Sequence, residues 1–131
     1  MPSVFTLIIN GELPGHFIWS DEHCVAFLSI NPITNGHALV VPRTEVDHWL
    51  DLDVETAAHL MTVGHKVGKA IQTVFLPERV GLMLAGFEVP HTHLHVLALN
   101  SMGDMSFANA ATEVDHGELA EFAAQLKAVL D

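Results

Sequence analysis

A chain of 131 residues, half of them hydrophobic, has the length and apolar content for one sizeable core, and a single domain over residues 1–131 is expected. Its 16 acidic residues against 5 basic ones give a formal charge of −11, which repels a polyanionic backbone and argues against DNA or RNA as a partner. The lone cysteine, Cys24, rules out an internal disulfide framework, and no stretch reaches the roughly 18 continuous apolar residues of a membrane span, so a cytoplasmic, membrane-free setting is expected.

In chain order, Val4–Ile9 is a short apolar run ending at Asn10-Gly11, and periodicity leaves it open between helix and strand. Residues 16–20 and Cys24–Leu28 are β-like runs around the polar Asp21-Glu22-His23, the pattern of a hairpin. Asn31-Pro32 and Asn35-Gly36 mark turns, and residues 37–42 form a third strand. Leu60, Val63, Val67, Ile71 and Val74 then recur at helical spacing, with Asp53 as N-cap and Pro77 as stop. A fourth strand is predicted over residues 80–85 and a fifth over 91–99, with Pro90 at its start. Asp115, three residues before Glu118, caps a C-terminal helix carrying Leu119, Phe122, Leu126 and Val129. Most connections are too short for parallel crossovers, so the expected fold class is α+β, built on a mostly antiparallel sheet of about five strands with one long central helix and a C-terminal helix.

His91-Thr92-His93-Leu94-His95 carries the chemistry. On a strand, alternate side chains share a face, so the three imidazoles line one surface. Two of them could share a metal ion, but the outer pair stand about 13 Å apart along a strand, too far for all three to meet at one tetrahedral zinc. Inert packing requires three buried rings each to find partners. A row of imidazoles also suits phosphoryl chemistry, with one ring as nucleophile and its neighbours as donors to phosphate oxygens.

The segment running on to Val96-Leu97 resembles the His-φ-His-φ-His-φ-φ signature of the histidine triad (HIT) family, where φ is apolar. Ile8-Ile9-Asn10-Gly11-Glu12-Leu13-Pro14 resembles the family's N-terminal segment, and Val25-Ala26-Phe27-Leu28 followed by Pro32, Gly36-His37 and Leu39-Val40-Val41-Pro42 resembles its central block. The likeness extends over residues 8–99, about seven-tenths of the chain. It implies a HIT-like fold, usually a homodimer, that cleaves a phosphoramidate or nucleotidyl bond at a nucleoside-linked phosphate and releases a nucleoside monophosphate. His93 is then the nucleophile, passing through a covalent phosphohistidine. His95 and His91 donate to the phosphate oxygens, and His37 orients the cluster. Phe27, Ser29, Asn31, Gly86, Glu88 and Val89 are the implied contacts to the substrate, a nucleotide or nucleoside phosphoramidate.

Three departures bear on activity. Ser29 stands where better-known branches carry a ribose-binding aspartate, and Val80 and Phe87 stand at positions that are asparagine and glutamine in many members. Where some members hold a structural zinc through Cys-x-x-Cys, the corresponding stretch here is residues 3–6, so no zinc is expected there and no cofactor elsewhere. The alternatives to a nucleotidyl hydrolase are a catalytically weak nucleotide-binding or sensor module, and a metal-binding protein using two triad histidines.

Overall fold

The computed structural model describes residues 1–130. The run left open by periodicity is a helix, α1 (Val4–Ile9), because the Ser3 hydroxyl accepts the Thr6 backbone N–H and so caps its first turn. Strands β1 (Phe17–Ser20) and β2 (Cys24–Leu28) form the expected hairpin, and β3 (Ala38–Pro42) lies antiparallel beside β2. The long helix α2 (Val54–Phe75) starts at Asp53, whose carboxylate accepts the Thr56 N–H. It ends at Leu76 in the left-handed conformation, one residue before Pro77. Strands β4 (Arg79–Met83) and β5 (Leu94–Leu99) follow, and α3 (His116–Val129) closes the chain behind its Asp115 cap.

The five strands form one antiparallel sheet in the order β1-β2-β3-β5-β4. Alternation along the strands feeds two cores. Ala26, Val40, Leu94 and Val96 meet Leu60, Val63, Val67 and Ile71 of α2 and Leu126 of α3. Val25, Phe27, Leu39 and Val41 point to the opposite face, where Phe5 of α1 packs on them. Both faces of β2 and β3 are thereby buried, unlike the half-wet strands of a simple meander. Among the described residues no helix is long and apolar enough to cross a membrane.

The fifth strand is shorter than its sequence suggests, beginning at Leu94 rather than residue 91. Two bonds hold the preceding residues out of the sheet: the His91 N–H donates to the Val89 carbonyl at 2.8 Å, and the Thr92 N–H to that of Val46 at 2.7 Å. His91 and His93 therefore sit in irregular backbone, and only His95 is a strand residue, opposite Leu39 of β3 and Met83 of β4.

Candidate active site

All three triad histidines and His37 are buried on the α1 face, and their hydrogen bonds determine which ring nitrogen carries the proton. His37 follows a turn at Gly36, whose φ of +85° disfavours a side chain and whose added Cβ would lie 2.4 Å from the Phe75 ring. That turn delivers His37 into the core. Its Nδ1 accepts the Ile33 N–H at 3.0 Å, so in the neutral ring the proton lies on Nε2, which donates to His95 Nδ1 at 2.9 Å. His95 consequently carries its proton on Nε2. That N–H is buried and has no hydrogen-bond partner among the described residues. An orphaned buried donor of this kind costs about 1–3 kcal/mol.

His93 has the opposite tautomer. Its Nδ1 lies 2.8 Å from the His91 carbonyl, which can only accept, so the neutral ring keeps its proton on Nδ1 and its lone pair on Nε2. The ring is wedged against Phe5, with centroids 4.9 Å apart, and against His95 at 4.8 Å. A lone pair and an unpartnered N–H thus stand on adjacent rings. Glu88 Oε1 faces both, 3.8 Å from His93 Nε2 and 3.6 Å from His95 Nε2.

His91 is arranged otherwise. Its Nε2 donates to the Pro42 carbonyl at 2.7 Å and its Nδ1 accepts from the Ser3 hydroxyl at 2.7 Å, so both nitrogens are engaged and the ring is fully buried. In this structure His91 therefore keeps no N–H free for a phosphate oxygen, the role the resemblance implied for it. What it offers the site is its carbonyl, which fixes His93.

Burial, reinforced by His95 and His93, lowers His37 to about 3. Burial, with His93 beside it and Glu88 opposing, lowers His95 to about 4. Burial also lowers His91, against the raising effect of the Pro42 carbonyl. At neutral pH these three rings are uncharged, as the tautomer assignment requires.

The remaining predicted contacts divide into two groups. Phe27 lies beneath the triad, edge-on to Phe5 at 5.5 Å, and Val89 packs on the same cluster. Gly86, at φ +90°, turns the chain so that Glu88 returns to the histidines while Phe87, 95% exposed, projects into solvent. Ser29 and Asn31 lie just beyond the end of β2. The Ser29 N–H bonds the His37 carbonyl, and the Asn31 amide donates to the Ala111 carbonyl. Ser29 lines a cavity of about 160 Å³ with His37, Val114 and Phe122. Val80 is half-buried against the α2-side core and offers no polar contact.

Sequence reasoning missed Ser3 and Phe107. Ser3-x-x-Thr6 ahead of an apolar run is a legible capping signal, but its reach to His91 is tertiary. Phe107, in a short 3₁₀ turn, covers His95 with ring centres 5.0 Å apart, and no periodic pattern marks it. The residues at the zinc position do not suit a metal ion. The Ser3 hydroxyl is committed to His91, the Thr6 hydroxyl donates to Glu45 Oε1 at 2.6 Å, and that oxygen also accepts the Ser3 N–H.

The model of the HIT domain matches residues 10–102. The chain is 33% identical over 108 residues to "Protein hit" of Bacillus subtilis, covering 77% of this chain and 73% of that protein. The structure is similar to that of a Hit-like protein of Bartonella henselae, with a TM-score of 0.86 at 25% identity over 98% of this chain and 96% of that one. It is also similar to a hypothetical histidine triad nucleotide-binding protein of Sulfolobus tokodaii, with a TM-score of 0.79 at 25% identity over 95% and 89%. Together with the buried triad and its antiparallel sheet, these matches show that the chain belongs to the HIT domain family.

Proposed function

We propose that this protein is a nucleotidyl hydrolase or nucleoside phosphoramidase acting through His93. One observation carries the reading: the free lone pair of His93 Nε2 stands beside the orphaned N–H of His95 Nε2. A phosphate oxygen is the kind of acceptor that N–H lacks, and it brings phosphorus next to the nucleophile. Proteins of this family are in general nucleotide-binding hydrolases and transferases, and the Sulfolobus tokodaii neighbour is named for nucleotide binding.

His93 Nε2 attacks the phosphorus, and the bond to the leaving group breaks. The leaving group departs with the bonding pair and takes a proton from solvent, which leaves a nucleotidyl group on Nε2. Water then attacks the phosphorus, releases a nucleoside monophosphate and one proton, and restores the ring. His95 donates to the phosphate in both steps. His37 holds His95 in its donor tautomer, and the His91 carbonyl holds His93 in its nucleophilic one. The Glu88 carboxylate, 3.8 and 3.6 Å from the two Nε2 atoms, shields them and competes with the substrate's own anion for that place.

On the same reading the protein is a cytoplasmic homodimer. β4 is an outer strand of the sheet, and Leu82 on it and Phe87 just beyond it are exposed. Pairing of two copies there buries apolar surface. A weak sensor remains as the second reading, because Val80 and Phe87 supply no polar contact to a phosphate. Incubation with adenosine and guanosine phosphoramidates, dinucleoside polyphosphates and adenylyl sulfate separates the two. Release of a monophosphate supports the enzyme, and monophosphate binding without turnover of any substrate overturns it in favour of the sensor.

A further inference from the structure

Two groups of metal-ligand side chains converge among the described residues, and only one lies at the triad. In that one, Glu88 with His93 and His95, the hydrogen-bond chain from Ile33 through His37 puts a proton on His95 Nε2, where an ion would need a lone pair. The other group is Asp21, Cys24 and His59, on the opposite side of the sheet where α2 crosses the β1–β2 turn. Asp21 and Cys24 are three positions apart, His59 joins them from α2, 38 positions beyond Asp21, and nothing in the mechanism uses the three.

The geometry points to a site for a borderline-soft divalent cation, Zn²⁺ or Co²⁺, held by Asp21 Oδ2, Cys24 Sγ and His59 Nε2. These three atoms all lie within 4.8 Å of one another. Oδ2 is 2.7 Å from His59 Nε2 and 3.8 Å from Cys24 Sγ. Ligands on a tetrahedral zinc, with bonds of about 2.0–2.3 Å, stand roughly 3.3–3.6 Å apart, so the observed separations bracket what an ion requires and small side-chain rotations close the difference.

The carboxylate is already aimed. Its Oδ1 accepts the N–H groups of His23 and Cys24, each at 2.8 Å, and the Trp19 indole N–H supports Oδ2 at 2.8 Å. Such second-sphere donors fix a metal-binding oxygen in orientation. In the metal-free protein the protons on Nε2 and Sγ both face Oδ2, and the cation takes their place. Burial, together with the Asp21 charge, pushes the Cys24 thiol up to about 12, so the thiol keeps its proton until the ion displaces it to solvent. The His59 proton leaves Nε2 for Nδ1 or for solvent.

The donor set selects the ion, since thiolate and imidazole favour zinc-like metals over Mg²⁺ and Ca²⁺. Three protein ligands leave one position for water. The side chains of His59 and Asp21 are 30% and 23% exposed, which gives the ion a way in from solvent. His23 stands alongside, its ring centre 5.1 Å from that of His59.

The test uses the full chain without a histidine tag, stripped by chelator and titrated with Co²⁺. One equivalent should bind with the visible bands of a tetrahedral ion and a near-ultraviolet thiolate-to-cobalt charge-transfer band, and one equivalent of Zn²⁺ should bleach both. His59→Gln, at a partly exposed position, should weaken cobalt binding at least tenfold, and Cys24→Ser should remove the charge-transfer band. His95→Asn should leave both signals intact. Circular dichroism verifies that each variant is folded, and should Cys24→Ser fail to fold, the cobalt affinity of His59→Gln decides. Absence of a charge-transfer band in the wild type overturns the assignment. So does cobalt binding that survives His59→Gln and disappears with His95→Asn, which places the ion at the triad.

Discussion

The neutral histidine chain makes the fold's stability a steep function of pH between 7 and 5. His37 sits at about 3 and His95 at about 4, against an ordinary value of 6.5. Because both folded values lie below the unfolded one, the stabilisation is complete above pH 6.5 and is lost as pH falls toward the folded values. At pH 5 the unfolded chain holds nearly two more protons on these rings than the native protein, and each is worth about 1.4 kcal/mol per pH unit. Integrated from pH 7 to pH 5, the pair withdraws roughly 3–4 kcal/mol, a large part of a small domain's 5–15 kcal/mol. Lowered His91 adds a loss of the same sign. Urea unfolding at pH 7, 6 and 5 measures the slope directly. In the double variant His37→Asn/His95→Asn most of it should disappear, even where that protein is less stable at pH 7. A wild-type stability that is flat from pH 7 to 5, or a slope unchanged in the double variant, refutes the neutral-chain reasoning.

His93→Ala should abolish nearly all turnover yet leave monophosphate affinity within about tenfold, or about 1.4 kcal/mol, by calorimetry, because the His95 donor remains. His95→Ala should weaken both binding and rate. Glu88→Gln removes a negative charge 3.6 Å from the proposed phosphate donor, so monophosphate affinity should rise severalfold at low salt and less at high salt; unchanged affinity counts against the shielding role. Light scattering at micromolar concentration should give about twice 14.3 kDa, and a clean monomer rules out the dimer.

Elements specified by local chemistry were legible in the sequence. The stripe from Leu60 to Val74, bounded by Asp53 and Pro77, fixes α2, and Asp21-Glu22-His23 between two β-like runs fixes the hairpin. Where tertiary bonds decide, the pattern falls short. Alternation makes residues 91–99 one strand, but Thr92 is held by the Val46 carbonyl, a partner 46 positions away, and the ladder starts only at Leu94. The same limit applies to the site. The spacing of the triad shows three histidines together, but not that Pro42 and Ser3 consume both nitrogens of His91, nor that Phe107 lies on His95. Asp21 and Cys24 are close enough in sequence to notice as a pair, whereas His59 joins them only because α2 crosses the hairpin.

Rapid quenching of the wild-type protein with a hydrolysable nucleoside phosphoramidate, followed by intact-mass analysis and peptide mapping, tests the central claim most directly. A covalent intermediate on Nε2 should appear as an acid-labile nucleotidyl adduct on His93, and it should be absent from His93→Ala. Turnover with no adduct at His93, or an adduct that persists in His93→Ala, contradicts the assignment of the nucleophile.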